Sequence, residues 1–441
     1  MGVVSVRGSS WKFAACAAAL SGAVLAQAAS PAPSLAASLS VSAESGAVAS
    51  FYAMRQGAPI WFRTGGDTAA PERLVAILRR APVDGLTIAP QLAGDVEVAI
   101  TAARSGEPAA VADADRLLST AWVVYVQKLR SPTAGMIYGD PAVRATAPRP
   151  DQILRDAASA ASLSQHLDQV SAVNPLYSAL REAALTDSAV AAGPAASRIA
   201  ANLDRVRALP AEGRFVVVDA AAARLWMYED GKPVDSMKVI VGTRNTPTPM
   251  IASMIHYTTL NPYWHVPDNL ARKTIAPNVV KQGKNYLKTR GYQVVSAWSN
   301  DAQILSPDEV DWKAVAAGRA EVKVRQLPGG GNSMGKMKFA FANGEGIFLH
   351  DTPNKALFAK AQRTLSNGCI RLEDAPRLAR WLMGSAPQTS STLPDQHLQL
   401  PRSMPVFVTY ITAHPSGGRV TFTDDVYGLD APSKARVAVL R

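Results

Sequence analysis

Residues able to do chemistry are concentrated in one segment of the 441-residue chain. Residues 350–353 read His-Asp-Thr-Pro, and residues 366–371 read Ser-Asn-Gly-Cys-Ile-Arg. A thiolate is a strong nucleophile, and a neighbouring imidazole can take the proton from the thiol. The segment therefore predicts nucleophilic catalysis, with Cys369 as the nucleophile and His350 as general base and then general acid.

The neighbours of Cys369 suit this chemistry. Arg371 would hold positive charge near the thiol, which favours the thiolate and could bind a substrate carboxylate. Gly368 lets backbone N–H groups approach an oxyanion closely. Ser366 and Asn367 can offer side-chain hydrogen bonds, and both are equally good turn residues. Asp351 could orient the imidazole, although helix capping or exposure to solvent is the more ordinary role.

Cys369 is one of only two cysteines in the chain. The other, Cys16, lies in an N-terminal stretch where basic residues precede an apolar run and Ala26-Gln27-Ala28 fits a cleavage site. We therefore predict a signal peptide over residues 1–28, a periplasmic protein and no transmembrane segment after cleavage. Cys369 would then be the only thiol in an oxidising compartment, where a buried inert thiol is the alternative interpretation.

Charge indicates the kind of partner. The formal net charge is +11, and loss of the two basic residues of the signal segment lowers it to +9. Such an excess attracts an anionic polymer or surface. A cell-wall polymer or an anionic membrane face fits an exported protein better than nucleic acid does. No Cys/His/Asp cluster shows the spacing of metal ligands, so the sequence predicts neither a metal site nor a cofactor.

The elements that must position the site fall into two regions, and the predicted fold class is α+β. Residues 29–50, rich in Ala, Ser and Pro, predict a flexible leader. Residues 51–200 carry apolar residues at helical spacing and predict a helical domain. Beyond Pro210, short β-branched runs and the Asp230-Gly231 turn signal predict a β-rich domain over residues 201–430.

Two segments interrupt the β-rich domain. Residues 262–335 are partly helical, basic and aromatic, and an insertion of that length is typical of a lid or a binding loop. Residues 385–404 are rich in Ser, Thr, Gln and Pro and predict a surface loop.

The local pattern also predicts how the two reactive residues are placed. Thr352 and Pro353 have the character of a helix start, and the helix should end near Leu365. His350 would then lie at the end of a strand, and Cys369 would lie on a turn after a short helix.

Residues 350–371 resemble the signature of the L,D-transpeptidase catalytic domain, a His at a strand end followed by Ser-x-Gly-Cys-x-Arg. Other segments resemble the same family. Residues 242–249, with Thr-Pro-Thr-Pro, are similar to its early hairpin exit. Residues 261–267 (Asn-Pro-Tyr-Trp-His-Val-Pro) are similar to the start of the insertion in its larger periplasmic members. Residues 51–61 resemble their scaffold domain.

The resemblance implies a ping-pong acyl transfer on peptidoglycan stem peptides. Cys369 would attack after the third residue of a tetrapeptide stem and release the terminal D-alanine. The thioester would pass to the side-chain amine of a diamino acid on a second stem, giving a 3→3 cross-link. Residues 366–369 would surround the oxyanion. Arg371, Tyr263 and Trp264 would help to hold the donor, although core packing is an equally good interpretation of Trp264.

Other functions remain open at this stage. The same Cys and His would serve a cysteine hydrolase that cuts stems with water, or a relative that attaches or detaches a lipoprotein. A wall-binding protein without activity is a third alternative. Larger relatives often carry a small peptidoglycan-binding module, but the chain leaves no room for it between residues 175–185 and 198–210. The basic surface or the insertion would then have to hold the polymer.

Overall fold

Helices dominate the N-terminal part of the chain and strands dominate the C-terminal part. The structure, a computed structural model, describes residues 35–187, 193–299, 302–387 and 393–430. The predicted signal peptide over residues 1–28 lies outside them. Within the described ranges, no helix is both long enough and apolar enough to span a membrane. The predicted α+β class is confirmed.

The N-terminal helices bury one apolar face each. In the helix over 70–80, for example, Leu74, Ile77 and Leu78 share one face and are fully buried. Several of these helices begin with Pro in the first turn, where its missing N–H costs nothing. The bounds are α1 Leu35–Met54, α2 Ala70–Arg80, α3 Ala89–Ala103, α4 Pro108–Leu129, α5 Pro150–Ser159, α6 Leu163–Ser171, α7 Pro175–Thr186 and α8 Gly193–Val206.

Helix α1 corrects the prediction of a flexible leader over residues 29–50, which is wrong from Leu35 onward. No Pro occurs between residues 34 and 57, and Ala is the strongest helix former. The end of α1 is also held by packing, because Val48, Phe51 and Tyr52 are buried in the core. The Tyr52 hydroxyl contacts Ser119 Oγ at 2.8 Å on α4.

The β-rich part begins after α8 and includes further short helices. Its strands, with β1 from the helical region, are β1 Ile137–Tyr138, β2 Arg214–Asp219, β3 Arg224–Glu229, β4 Lys232–Gly242, β5 Ile251–Leu260, β6 Trp264–His265, β7 Tyr292–Val295, β8 Ile304–Leu305, β9 Lys323–Gln326, β10 Met337–Phe341, β11 Phe348–His350, β12 Thr364–Ser366, β13 Ile370–Leu372, β14 Gln396–Thr409, β15 Ala413–Ser416 and β16 Arg419–Phe422. The helices are α9 Asp268–Leu270, α10 Ala276–Gln282, α11 Asn285–Thr289, α12 Trp312–Ala316 and α13 Ala375–Met383, with a π-helical turn over Ala271–Ile275 and 3₁₀ turns over Pro141–Val143, Pro307–Glu309 and Lys355–Ala359.

In the part of the chain that the structure describes, a ten-stranded sheet runs in the order β1-β5-β10-β11-β13-β4-β3-β2-β14, with β12 beside β4. Strand β14 pairs with β2 and also with β5, so the strand order returns to β5. Without β1 and β12, the remaining strands form a closed ring. Its interior is filled by apolar side chains such as Val216, Leu349 and Val406, which are fully buried.

The insertion predicted over residues 262–335 folds around a small core of its own. Its strands pair in the order β6-β9-β7-β8, and α10 and α12 pack beside them. Val266, Val279 and Val324 are among the residues that are buried in this separate cluster. The insertion leaves the sheet after β5 and returns at β10, the strand that pairs directly with β5.

The predicted surface loop over residues 385–404 is wrong for its second half, because β14 begins at Gln396. Residues 396–399 pair with β5, and the pairing resumes at Met404 after a bulge. Polar side chains alternate with apolar ones there, and Leu400 is buried. Pro401 and Ser403, which contributed to the loop prediction, lie in the bulge, where a missing ladder hydrogen bond is tolerated. Residues 388–392 lie outside the described ranges.

Polar contacts join α8 to the end of the chain. Arg205 donates from Nη1 to Tyr410 O at 3.0 Å and to Asp430 Oδ1 at 2.7 Å. Asn202 Oδ1 accepts from Thr412 N at 2.7 Å. All of these groups are buried or nearly so, which fixes the segment after β16 against the helical region.

Candidate active site

His350 and Arg371 lie side by side on neighbouring parallel strands. In the β11–β13 pair, Leu349 is opposite Ile370 and His350 is opposite Arg371. Leu349 and Ile370 are fully buried in the core, and side chains alternate along a strand. His350 and Arg371 therefore face away from the core. Cys369 directly precedes β13 and lies close enough to Arg371 for its charge to lower the pKa of the thiol. The structure thus brings together three residues that the sequence singled out.

The His350 imidazole is held in one orientation by the backbone. His350 is 5% exposed, and its Nδ1 lies 2.5 Å from the carbonyl oxygen of Asp351. A carbonyl only accepts, so Nδ1 carries the proton and Nε2 is left as the basic nitrogen. Burial lowers the pKa of His350 to about 3; the Asp351 hydrogen bond opposes this change, and nearby Arg371 adds to it. The imidazole is therefore neutral at neutral pH.

Asp351 orients the imidazole through its carbonyl group and not through its carboxylate. The carboxylate accepts hydrogen bonds from Lys336 N at 2.9 Å and from Lys355 Nζ at 2.7 Å. These bonds fix the backbone of Asp351, which in turn fixes His350. The residue is also buried, so neither simple capping nor solvent exposure describes it.

The thiol of Cys369 is a neutral group in this structure. It is half-buried and its Sγ donates to the carbonyl oxygen of Gly346 at 3.7 Å. Burial raises the pKa of Cys369, while a backbone hydrogen bond from Phe348 and the charges of Lys338 and Arg371 act to lower it. Arg371 thus favours the thiolate as expected, but burial outweighs it.

Ser366 ties the turn that carries Cys369. Its Oγ donates to Cys369 O at 2.6 Å and accepts from Gly368 N at 3.2 Å. The N–H of Gly368 is therefore already engaged, which differs from the expectation that it faces an oxyanion. Gly368 has φ +117°, and a Cβ there would lie 3.0 Å from Ile347 Cδ1. The φ value by itself favours glycine strongly, and a larger residue would also displace the tip of the Ile347 side chain. Asn367 is exposed on the same turn.

The helix predicted from Pro353 to Leu365 is wrong. Only the 3₁₀ turn over Lys355–Ala359 forms, and β12 follows it. The guanidinium of Arg363 donates to Val239 O and to Ala223 O, both at 3.2 Å. These contacts hold the chain extended beside β4, where β12 pairs in parallel. Tertiary contacts have overridden the local helix signal.

A loop after β4 supports the same turn from behind. Thr248 Oγ1 donates to Gly368 O at 2.7 Å and accepts from Gly242 N at 2.8 Å. Tyr427 OH, from the C-terminal segment, donates to Gly242 O at 2.7 Å. The Thr-Pro-Thr-Pro motif was the only sequence signal for these contacts, and nothing in the sequence pointed to Tyr427.

Lys338 is a residue of the site that the sequence reasoning missed. It lies opposite His350 in the β10–β11 pair, and its Nζ is 4.3 Å from the centre of the Phe348 ring. Phe339 and Phe341 are buried, so alternation places Lys338 on the outward face. That alternation was visible in the sequence, but the pairing with His350 was not.

Tyr263 and Trp264, the two aromatic residues predicted to hold the donor, lie in different surroundings. Trp264 packs against the core of the insertion, in agreement with the packing interpretation. The Tyr263 ring stacks near His265, and the guanidinium of Arg325 lies 4.3 Å from its centre. Its backbone N–H donates to Asp395 Oδ1 at 3.0 Å. Asp395 acts electrostatically on Lys338, so Tyr263 lies at the base of the insertion beside the site.

Comparison with known proteins gives two family matches. The model described as the L,D-transpeptidase catalytic domain matches residues 213–408, which include the whole site. The model described as a scaffold domain matches residues 46–183, in the helical region. A curated Haemophilus influenzae protein named "Putative L,D-transpeptidase" is 27% identical over 394 residues, covering 87% of this chain and 78% of that protein.

Solved structures of L,D-transpeptidases also match part of the chain. The enzyme from Mycobacterium smegmatis has a TM-score of 0.23 at 13% identity, covering 45% of this chain and 59% of that one. A mutant of the Enterococcus faecium enzyme has a TM-score of 0.21 at 12% identity, covering 45% and 50%. The chain thus spans less than two thirds of each of these structures.

Proposed function

Because this chain belongs to the L,D-transpeptidase family, with a scaffold domain ahead of the catalytic domain, we propose that it forms 3→3 cross-links between peptidoglycan stem peptides through a thioester on Cys369. The observation that carries the proposal is that His350 and Arg371 lie opposite each other on β11 and β13, with Cys369 directly before β13 and within reach of the charge of Arg371. A nucleophile, a base and a cation on adjacent strands are the groups that acyl transfer needs.

The first half-reaction consumes the donor stem. The sulfur of Cys369 bonds to the carbonyl carbon of the third residue, and Nε2 of His350 takes the thiol proton. The bond to the terminal D-alanine then breaks, and His350 returns the proton to the leaving amine. The products are the thioester and free D-alanine.

The second half-reaction consumes the acceptor. A neutral side-chain amine of a second stem attacks the thioester carbonyl, His350 takes a proton from that nitrogen, and the sulfur leaves and is reprotonated. One amide bond replaces the one that was broken, so no external energy source is needed. Water in place of the amine would give the hydrolase reaction with the same residues.

The test is product analysis with muropeptides that carry tetrapeptide stems. We expect cross-linked dimers and free D-alanine by mass spectrometry, and a thioester adduct on the intact protein when the acceptor is withheld. Cys369→Ala should abolish all three while its melting temperature stays close to that of the wild type. Formation of tripeptides without dimers would replace the transferase proposal with a hydrolase. Cross-linking by Cys369→Ala would overturn the mechanism.

The cellular setting is part of the same proposal. Action on peptidoglycan requires an exported protein, which agrees with the signal-like sequence over residues 1–28 and the excess of basic residues. Helices α7 and α8 are joined by residues 187–192, too few for a further domain. We therefore assign the grip on the anionic polymer to the basic surface and to the insertion. Fractionation with and without residues 1–28 tests the export.

A further inference from the structure

Lys338, His350 and Arg371 form one row across three neighbouring strands. Lys338 is opposite His350 in the antiparallel β10–β11 pair, and His350 is opposite Arg371 in the parallel β11–β13 pair. Paired residues project from the same face of a sheet. The neutral imidazole therefore has a cation on each side.

Neither cation has a carboxylate partner within ion-pair distance among the residues that the structure describes. Lys338 rests over the Phe348 ring, and Arg371 makes no side-chain hydrogen bond there. The nearby acidic groups are committed elsewhere: Asp351 binds Lys355, and Asp395 accepts from Tyr263 N. Burial lowers the pKa of Lys338 and that of Arg371, so both cations are partly desolvated. Asp395 acts on Lys338 only from beyond ion-pair distance. Two partly desolvated cations with no carboxylate of the described residues in contact form a place for an anion.

The position of the pair indicates which anion. In the proposed reaction, His350 gives its proton to the amine of the leaving residue. In an α-amino acid that nitrogen and the carboxylate share one carbon atom. When the leaving residue is the last of the stem, its carboxylate is free and lies within a few bonds of His350. It then falls beside the groups that flank the imidazole.

We propose that Lys338, together with Arg371, binds the terminal carboxylate of the leaving amino acid and so selects donor stems that end one residue beyond the reacting carbonyl. This inference rests on the proposed function. It makes Lys338 a specificity-determining residue, because an amidated or extended end offers no charge at that place.

The experiment compares two donors that differ only at the end of the stem, a tetrapeptide with a free C-terminal carboxylate and its primary carboxamide. The rate of acyl-enzyme formation on Cys369 is followed by intact-protein mass spectrometry. We expect the wild type to prefer the free acid by about tenfold or more, the range of charge-assisted hydrogen bonds. The preference should shrink at high salt.

Substitutions at Lys338 test whether this residue causes the preference for the free-acid donor. Lys338→Met should lose most of it by slowing the acid donor, through a higher KM, while Lys338→Arg should retain a large part of it. Lys232→Met, at the exposed end of the β3–β4 hairpin, is the matched control and should keep the wild-type preference. Melting temperatures identify any variant that is misfolded, and the wild-type comparison of the two donors stands without them.

The outcomes separate the two proposals. If the wild type acylates with both donors at equal rates, the carboxylate assignment is overturned and the proposed function stands. If Lys338→Met slows both donors by the same factor, Lys338 acts on the thiol or the fold and the assignment is also overturned. If no acyl-enzyme forms with either donor, the proposed function itself fails, and this inference fails with it.

Discussion

Thr248 donates a hydrogen bond from Oγ1 to the carbonyl oxygen of Gly368, 120 positions further along the chain, at 2.7 Å. The same hydroxyl accepts from Gly242 N, and the carbonyl of Gly242 accepts from Tyr427. Asp425 and Arg205 hold the segment that carries Tyr427. The turn that bears Cys369 is therefore anchored to the segment around Tyr427. Through Arg205 of α8, it is also anchored to the helical region.

Replacing Thr248 by Val should damage catalysis and stability together. The change keeps the volume but leaves Gly242 N–H and Gly368 C=O without partners in a buried place, at a cost of about 1–3 kcal/mol each. We expect the rate of thioester formation to fall by about tenfold or more, because Gly368 adjoins Cys369. Urea unfolding and intact-protein mass spectrometry measure the two effects.

Thr248→Ser is the matched control, since it keeps the hydroxyl and should restore both the rate and the stability. Tyr427→Phe removes the hydroxyl that donates to Gly242 O and accepts from Thr248 N at 3.4 Å, but it leaves the Thr248–Gly368 bond in place and should lower the rate less. A Thr248→Val protein that is less stable but forms the thioester at the wild-type rate would show that the turn does not depend on this anchor.

The buried imidazole should make the protein sensitive to acid. The folded pKa of His350 is about 3 against an ordinary 6.5, so between these values the unfolded chain binds the extra proton. Stability must then fall as the pH falls through this window, by at most about 1.4 kcal/mol per unit for this residue. We expect His350→Gln to lose part of that slope when unfolding free energies are measured from about pH 7 to pH 4.

Other histidines contribute to the wild-type slope, since burial also lowers the pKa of His166, His265 and His414. His166→Gln, in the helical region, is therefore the control, and its effect should be smaller because His166 is less deeply buried. Equal slopes for the wild type and His350→Gln would mean that the imidazole is charged in the folded protein.

The reactivity of Cys369 should report a neutral thiol. Burial raises its pKa above the ordinary 9.0, so alkylation by iodoacetamide should speed up with pH through the alkaline range. The mature protein would contain no other thiol, so the adduct mass is unambiguous. Arg371→Gln should raise the pKa further, and Lys232→Met should leave it unchanged. A plateau of fast alkylation from about pH 4 to pH 8 would instead indicate a thiolate–imidazolium pair.

Asp219 should lower the stability of the protein as the pH rises towards neutral. Its carboxylate is fully buried; Oδ1 accepts from Ala221 N and Ile411 N, while Oδ2 has no partner among the described groups. Burial raises the pKa of Asp219 from 3.8 to about 7. The stabilisation by the protonated form is complete below 3.8 and is lost as the pH rises through about 7.

Asp219→Asn is neutral at every pH and keeps the Oδ1 acceptor. We expect its unfolding free energy to gain on that of the wild type as the pH rises from about 4 to about 7, by at most about 1.4 kcal/mol per unit, and the difference to level off at higher pH. The exposed Asp424→Asn serves as the control. A constant difference between Asp219→Asn and the wild type from about pH 4 to about pH 7 would refute the raised pKa.

Local signals in the sequence predicted local structure well. Asp230 and Gly231 form the β3–β4 turn with φ of 46° and 75°, as the Asp-Gly signal predicted. The position of His350 at a strand end was predicted for the same reason. The turn at Cys369 was predicted from Asn367 and Gly368, the two residues that precede the cysteine.

Relationships between distant strands could not be predicted in this way. The row of Lys338, His350 and Arg371 depends on the register of three strands, and the Thr248 anchor depends on a loop before the insertion. The false helix before β12 has the same origin, because the contacts that extend it come from β4 and the β2–β3 turn. Periodicity carries no information about such partners.

Strand β1 joins the helical region to the ring. It pairs with Ile251 and Ala252 of β5, just past the end of β10, and a Cβ on the following Gly139 would lie 1.7 Å from Ala342 O. A β-rich domain cut free before Arg214 would leave this stretch of β5 as an open edge. Unpaired edges recruit strands from other molecules. The boundary between the two family matches is therefore a poor place to divide the protein, and the severed half should aggregate.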